Sequence, residues 1–161
     1  MIQKANGKKK IDLLFLVCLF IRFMSERVSW YEYAMILAES AAKRSEDPYR
    51  KVGACALNGD KMVVGLGYNG LASGKNINDQ SFWEDRDNRR KYMIHAETNC
   101  LSLCKKGEVE TLAVTLLPCS YCATMISAYG VNVVLYKEEY EQDLEAKKIF
   151  GFYGVELLKY H

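Results

Sequence analysis

The residues of this chain best suited to chemistry are one histidine, one glutamate and two cysteines. His95 and Glu97 stand in His95-Ala96-Glu97, and further on comes Pro118-Cys119-Ser120-Tyr121-Cys122. The chain has 2 histidines, and the other is its last residue, His161. Taken singly each piece is weak, because a lone histidine is usually a satisfied polar group and C-x-x-C serves redox chemistry as readily as metal binding. Together they offer three nitrogen and sulfur ligands of the kind zinc takes in tetrahedral sites. Cys119 and Cys122 are three apart, so both thiols leave one face of a first helical turn. The unpaired N–H groups of such a turn favour thiolates, and a metal completes the deprotonation. His95 and Glu97 would lie about 200° apart on a regular helix and diverge. They converge only if His95 sits at a loop-to-helix transition, which the aperiodic stretch ending just before it permits.

A structural zinc closes its shell with a fourth protein ligand, whereas a catalytic zinc keeps that position for water. The spare thiols nearest His95 are Cys100 and Cys104, five and nine residues beyond it. They lie about 140° and 180° around a helix from it, and both read as core cysteines. The spacing therefore predicts Zn2+ on His95, Cys119 and Cys122 with water as fourth ligand. H-x-E followed by P-C-x-x-C resembles the arrangement of the zinc-dependent nucleobase deaminases, which implies that Glu97 is the catalytic acid–base, taking a proton from that water and delivering it to a ring nitrogen and a leaving amine. An exposed glutamate favoured by the helix dipole accounts for Glu97 alone, but not for the company it keeps.

The elements that must position these residues belong to one domain. Two ordinary domains do not fit in 161 residues, and a 50% hydrophobic content with 2 prolines excludes disorder. A chain this long buries about two thirds of its unfolded surface and needs no disulfides. Of the 6 cysteines, Cys18, Cys55, Cys100 and Cys104 lie inside apolar or helical patterns, which fits a reduced, cytoplasmic compartment. A net charge of +2 and a pI of 8.1 give no footing for a membrane or a nucleic-acid partner. Residues 1–23 read apart from the rest. Lys8, Lys9 and Lys10 precede an apolar run from Ile11 to Ile21 that is too short to cross a bilayer, which needs about 20 residues. No small-residue cleavage site follows, as a secretory signal requires. The segment is expected to be a non-core extension ahead of a start at Met24, with residues 24–161 forming the catalytic domain.

Ser29 and Glu32 make a capping box that opens a helix to Lys43, and Asp47-Pro48 stops the chain beyond it. Val52–Leu57 and Lys61–Tyr68 read as strands around Asn58-Gly59-Asp60, a hairpin signal. From Asn69 to Met93 the sequence is polar and charged without a period, and reads as a long functional loop. His95–Lys106 reads as a helix capped by Gly107. Thr111–Leu117 follows as a strand, Cys119–Tyr129 as a helix, Val131–Tyr136 as a strand, Tyr140–Phe150 as a helix and Val155–Tyr160 as a strand. Strands alternating with helices imply parallel neighbours and right-handed crossovers. The expected fold is α/β, a three-layer α/β/α sandwich whose mixed five-stranded sheet carries helices on both faces.

Over residues 29–160 the chain resembles the deoxycytidylate (dCMP) deaminases of the zinc cytidine-deaminase superfamily. Beyond the zinc motif, the resemblance is carried by Arg44-Ser45-Glu46-Asp47-Pro48 leading to Val52-Gly53-Ala54, by Gly67-Tyr68-Asn69-Gly70, and by His95-Ala96-Glu97-Thr98-Asn99. The helix between the last two strands also fits, since free-nucleoside cytidine deaminases join those strands differently. The resemblance implies a cytidine deaminase-like fold and hydrolysis of dCMP to dUMP and ammonia, a supply of dUMP for thymidylate synthesis. It implies that Asn69 holds the deoxyribose, that the Ala96 backbone orients the base, and that Tyr140 covers the cytosine. Arg44, with Lys51 beside it, is the candidate for the phosphate; a solvated helix-end arginine is the plainer reading of Arg44.

The resemblance also implies a homo-hexamer activated by dCTP with Mg2+ and inhibited by dTTP, with effector contacts at Gly67, Tyr68, Asn69 and Gly70. The loop behind them departs from the family pattern at Leu71-Ala72 and Phe82-Trp83. Its charged stretch Glu84–Lys91 reads either as a surface for effector phosphates or as a solvated face. Two other activities stand beside this one, a deaminase that also accepts dCTP and a tRNA- or DNA-editing deaminase. Editing needs a basic binding face, which the mixed-sign loops do not supply. A non-catalytic zinc module is the third alternative, and the intact Glu97 speaks against it.

Overall fold

A computed structural model describes residues 27–75 and 77–161, so the expected extension of residues 1–23 lies outside the described residues. Helix α1 spans Trp30–Ala42, with Ser29 Oγ accepting the Glu32 N–H at 3.1 Å. Strands β1 (Gly53–Asn58) and β2 (Val63–Tyr68) form an antiparallel pair. Two short helices follow, α2 (Gln80–Glu84) and α3 (Arg86–Tyr92), then α4 (Ala96–Leu101). The second half runs β3 (Val109–Leu116), α5 (Ser120–Tyr129), β4 (Val133–Glu138), α6 (Glu145–Tyr153) and β5 (Glu156–Lys159).

The strands make one five-stranded sheet in the order β2-β1-β3-β4-β5. β1 is antiparallel to β2 and β3, while β3, β4 and β5 are parallel. Alternate strand residues face opposite sides, and the two cores follow that alternation. Cys55, Leu57, Ala113 and Leu135 meet Ala34, Met35 and Ala38 of α1 on one face. Ala54, Ala56, Leu112, Val114 and Val134 meet Cys100, Ile126 and Phe150 of α4, α5 and α6 on the other. The mixed sheet with helices on both faces is therefore as expected. Among the described residues no helix is long and apolar enough to cross a membrane.

Two glycines let helices touch the sheet backbone. A Cβ on Gly53 would stand 1.9 Å from Ala38 O of α1, and one on Gly67 would stand 2.4 Å from Cys100 N of α4. Gly53 of β1 and Gly67 of β2 thus draw both layers in, and α4 is seated directly on β2.

Several boundaries differ from expectation, each for a local reason. The aperiodic stretch 69–93 is not loop throughout: Asp79 and Asp85 cap α2 and α3 through the N–H groups of Ser81 and Asn88. Its neck is pinned where Gly70 and Ile94 exchange two backbone hydrogen bonds of 3.0 and 2.8 Å. The helix after His95 ends at Leu101 instead of Lys106. Gly107 (φ 79°) caps no helix; it turns the chain and donates to Tyr129 O at 2.8 Å. The last helix begins at Glu145, not Tyr140, because residues 140–143 form a turn closed by Asp143 N–H to Tyr140 O. In the β1–β2 hairpin the left-handed residue is Lys61 (φ 64°), and Asn58 Oδ1 accepts the Met62 N–H at 2.9 Å.

Candidate active site

The site forms along one edge of the sheet. Residues leaving β2 and β3 (Asn69, Leu116, Leu117), entering β1 (Val52) and following β4 (Tyr140) all line one cavity of about 440 Å3. In α/β sheets this edge, beyond the carboxyl ends of the parallel strands, is where ligands sit. His95, Ala96, Glu97 and Cys119 share the cavity.

His95 is the N-cap of α4, with extended backbone (φ −73°, ψ 152°), and Cys119 is the N-cap of α5 (φ −72°, ψ 168°). Neither side chain caps its own helix, so both are turned to each other instead. The extended cap at His95 places it at the loop-to-helix transition and removes the 200° divergence of a regular helix, so His95 and Glu97 both line the cavity. His95 Nδ1 lies 3.2 Å from Cys122 Sγ and 3.6 Å from Cys119 Sγ. The three ligand atoms all lie within 4.8 Å of one another. Tetrahedral zinc, with arms of about 2.3 Å to sulfur and about 2.0–2.1 Å to nitrogen, separates such ligands by about 3.6 Å. The donor set and its spacing fit that metal.

The two thiols and the imidazole perturb one another strongly. Cys119 is lowered to about 4, first because the Cys122 thiol donates to its sulfur and then because His95 does. Cys122, the donor of that pair, is raised. His95 is raised by its hydrogen bond to Cys119 against the opposing effect of burial. Glu97 is buried and its carboxyl is raised by desolvation, offset first by its own backbone N–H. Cys100, fully buried and raised beyond the ordinary thiol range by desolvation, is a core residue, as its position on α4 indicated. Among the described residues all five cysteines are free thiols.

The structure brings some of the remaining candidates to the cavity and leaves others out. Asn69 and Tyr140 line it. The Asn69 amide is also structural, since Oδ1 accepts the Val52 N–H at 2.7 Å and Nδ2 donates to Arg50 O at 2.9 Å. An amide has capacity for one further bond at each atom. Arg44 and Lys51 are not among the lining residues. Arg44 follows the end of α1 and is exposed, and Lys51 Nζ donates to Ser45 O at 2.7 Å. Of the effector candidates, Gly67 lies against α4, while Gly70 sits beside the Glu46 carboxylate. Arg50, Arg86, Arg89, Arg90 and Gln142 line the cavity without having been singled out one by one. For the α3 arginines the signal is the charged stretch Glu84–Lys91, which reads either as a surface for effector phosphates or as a solvated face; Arg50 and Gln142 carry no such signal.

The family model for the cytidine and deoxycytidylate deaminase zinc-binding region matches residues 28–138. The deoxycytidylate deaminase of Homo sapiens is 33% identical over 144 residues, covering 83% of this chain and 80% of the relative. ComE operon protein 2 of Bacillus subtilis is 35% identical over 135 residues, covering 81% and 70%. The crystal structure of the dCMP deaminase of cyanophage S-TIM5 in complex with dCMP and dUMP is similar too, with a TM-score of 0.69 and 26% identity. That likeness covers 84% of this chain and 99% of the phage chain.

Proposed function

Because the chain belongs to the zinc-dependent cytidine and deoxycytidylate deaminase family, we propose that it hydrolyses dCMP to dUMP and ammonia. The observation that carries this reading is the convergence of His95, Cys119 and Cys122 beside the buried Glu97, on a cavity of single-nucleotide size. His95, Cys119 and Cys122 would hold zinc, which when bound supplies the Lewis acidity that makes water a nucleophile near neutral pH.

The chain's own residues do the rest. Glu97, shielded from solvent and not needed as a ligand, accepts a proton from the attacking water as its oxygen adds to C4 of cytosine. It returns that proton to ring N3, then carries the second to the amino group, which leaves as ammonia. The C4–N bond breaks and a C4–O bond remains, so one water is consumed for each ammonia released. Ala96 backbone orients the base, Asn69 meets the sugar and Tyr140 covers the ring. Glu97 and Asn69 are buried, and fixed polar groups in such surroundings act more strongly than they do in water.

The same reading makes the protein a cytoplasmic homo-hexamer, activated by dCTP with Mg2+ and inhibited by dTTP. The exposed Tyr121, Phe152 and Tyr153 (87%, 82% and 56% exposed) are apolar surface suited to subunit contact. Ammonia release from a panel of dCMP, dCTP, cytidine, tRNA and single-stranded DNA tests the reaction. Turnover of dCMP above all others is expected. Preference for a polynucleotide would replace this reading with editing.

A further inference from the structure

Four arginines line the cavity, Arg50, Arg86, Arg89 and Arg90, against the carboxylates of Asp47, Glu84 and Glu97. Arg86, Arg89 and Arg90 are spaced i, i+3, i+4 on α3, so one face of that helix is turned to the cavity. Asp87, Asn88 and Lys91 lie off that face and do not line it.

Arg89 stands apart from the other three. It is buried (8% exposed), its guanidinium lies 4.6 Å over the Tyr49 ring, and Nη1 donates to Trp83 O. Its Nε is 3.7 Å from Asp47 Oδ2, an ion-pair distance too long for a hydrogen bond. That Nε has no hydrogen-bond partner among the described residues. Asp47 Oδ1 meanwhile accepts the N–H groups of Tyr49 at 2.8 Å and Arg50 at 3.2 Å. One carboxylate therefore fixes both the turn that carries Arg50 and the helix that carries Arg86 and Arg90.

Arg86 is bonded to Gln142, which also lines the cavity, and the Arg50 guanidinium lies 5.9 Å over the Tyr140 ring. Among the described residues, no carboxylate oxygen comes within 4.0 Å of the side-chain nitrogens of Arg50, Arg86 or Arg90. Guanidinium groups left without a carboxylate, in a cavity that also holds His95, Glu97 and Cys119, are suited to a phosphate.

We propose that Arg50, Arg86 and Arg90 receive the 5′-phosphate of the nucleotide, and that Arg89, through Asp47, is the positioning residue that holds this wall. Phosphate selectivity then resides in the α2–α3 segment and the Asp47 turn, not in Arg44 or Lys51. The assignment rests on the nucleotide-deaminase reading above and sharpens it.

The test compares kcat/KM for dCMP and deoxycytidine in the zinc-loaded full chain. Arg50→Gln, Arg86→Gln and Arg90→Gln should each lower the dCMP-to-deoxycytidine ratio by about 10- to 100-fold, the range of one charged hydrogen bond. Arg44→Ala should leave the ratio within about twofold. Arg89→Met should raise KM for dCMP far more than it lowers kcat, and Arg89→Lys should restore part of the loss. Calorimetric binding of dCMP and of inorganic phosphate to the same proteins reads the wall without turnover. Wild-type protein that binds dCMP through these arginines yet releases no ammonia would sink the deaminase reading and leave the wall standing. Turnover of dCMP with a ratio unmoved by all three glutamine variants would overturn the wall alone, as would a ratio that collapses in Arg44→Ala. Should Arg89→Met fail to fold, the glutamine variants at Arg86 and Arg90, both exposed, decide the matter.

Discussion

Asp143, on the turn after β4, accepts the backbone N–H of Ser120 at 2.7 Å. Ser120 is the first residue of the helix whose start holds Cys119 and Cys122. Cys119 occupies the N-cap position without capping, so Asp143, 23 positions beyond Ser120, does that work. The division leaves the Cys119 sulfur facing His95 while the helix end stays satisfied. The Asp143 carboxyl is held low, first by that N–H.

Asp143→Ala should therefore cost about 1 kcal/mol, the usual worth of a capping oxygen. That corresponds to a drop of about 2–4 °C in melting temperature for a chain of this size. Zinc should also leave faster when the variant is challenged with a chelator. Because the folded carboxyl is depressed, its contribution is complete above the unfolded value of about 4 and fades as pH falls through the folded one. The gap in stability between wild type and Asp143→Asn should narrow in that acid range and stay constant above it. Identical chelator kinetics in wild type and Asp143→Ala would remove Asp143 from the support of the metal site.

Gly67→Ala should be destabilising by about 1–3 kcal/mol, because the new methyl meets backbone of α4 on β2 and the helix must lift. The lift carries His95 and Glu97 with it, so zinc content should fall along with stability. Denaturant unfolding and metal analysis check both parts. Native stability with altered nucleotide response alone would make Gly67 an effector residue and not a packing one.

Removing zinc should abolish turnover and lower the melting temperature, since a ligand bound only by the folded state stabilises it by mass action. Metal analysis should find one zinc per chain, and Cys119→Ala should lose most of it. Full zinc retention in that variant would contradict the His95, Cys119, Cys122 assignment.

Assembly and control are separable expectations. Light scattering should give a hexamer, and dCMP saturation should be sigmoidal, with dCTP and Mg2+ relieving it and dTTP deepening it. A monomer would refute both, whereas a hexamer with hyperbolic, effector-blind kinetics would refute the control only.

The cluster of His95, Cys119 and Cys122 is legible because its geometry is local. Two pairs, each within one helical turn of a cap, fix their own directions once the loop-to-helix transition is placed. The sheet was legible for a similar reason, since its strands and turns are bounded by Asn-Gly, Pro and Gly signals. The arginine wall was not. α3 has the sequence RDNRRKY, with no apolar period to announce a helix, and it is held by the Asp85 cap and by a long-range pair with Asp47. Without the helix, the shared face of Arg86, Arg89 and Arg90 is invisible, and a charge run is all that remains. Tyr140 reads as the start of a helix for the converse reason. Its spacing suits one, but Asp143 is drawn to Ser120 and the chain turns there before α6 begins.

The central claim is a proton carried by Glu97 during hydrolysis of dCMP, and one paired measurement tests it most directly. Ammonia and dUMP are followed with zinc-loaded wild-type protein and with zinc-loaded Glu97→Gln, each supplied with dCMP. Wild type should form the two products in equal amounts. The variant should keep its fold and its zinc and lose at least 10²–10⁴-fold in rate, the usual contribution of a general acid–base group. No ammonia from wild type, or a variant rate within about tenfold of it, would contradict the account.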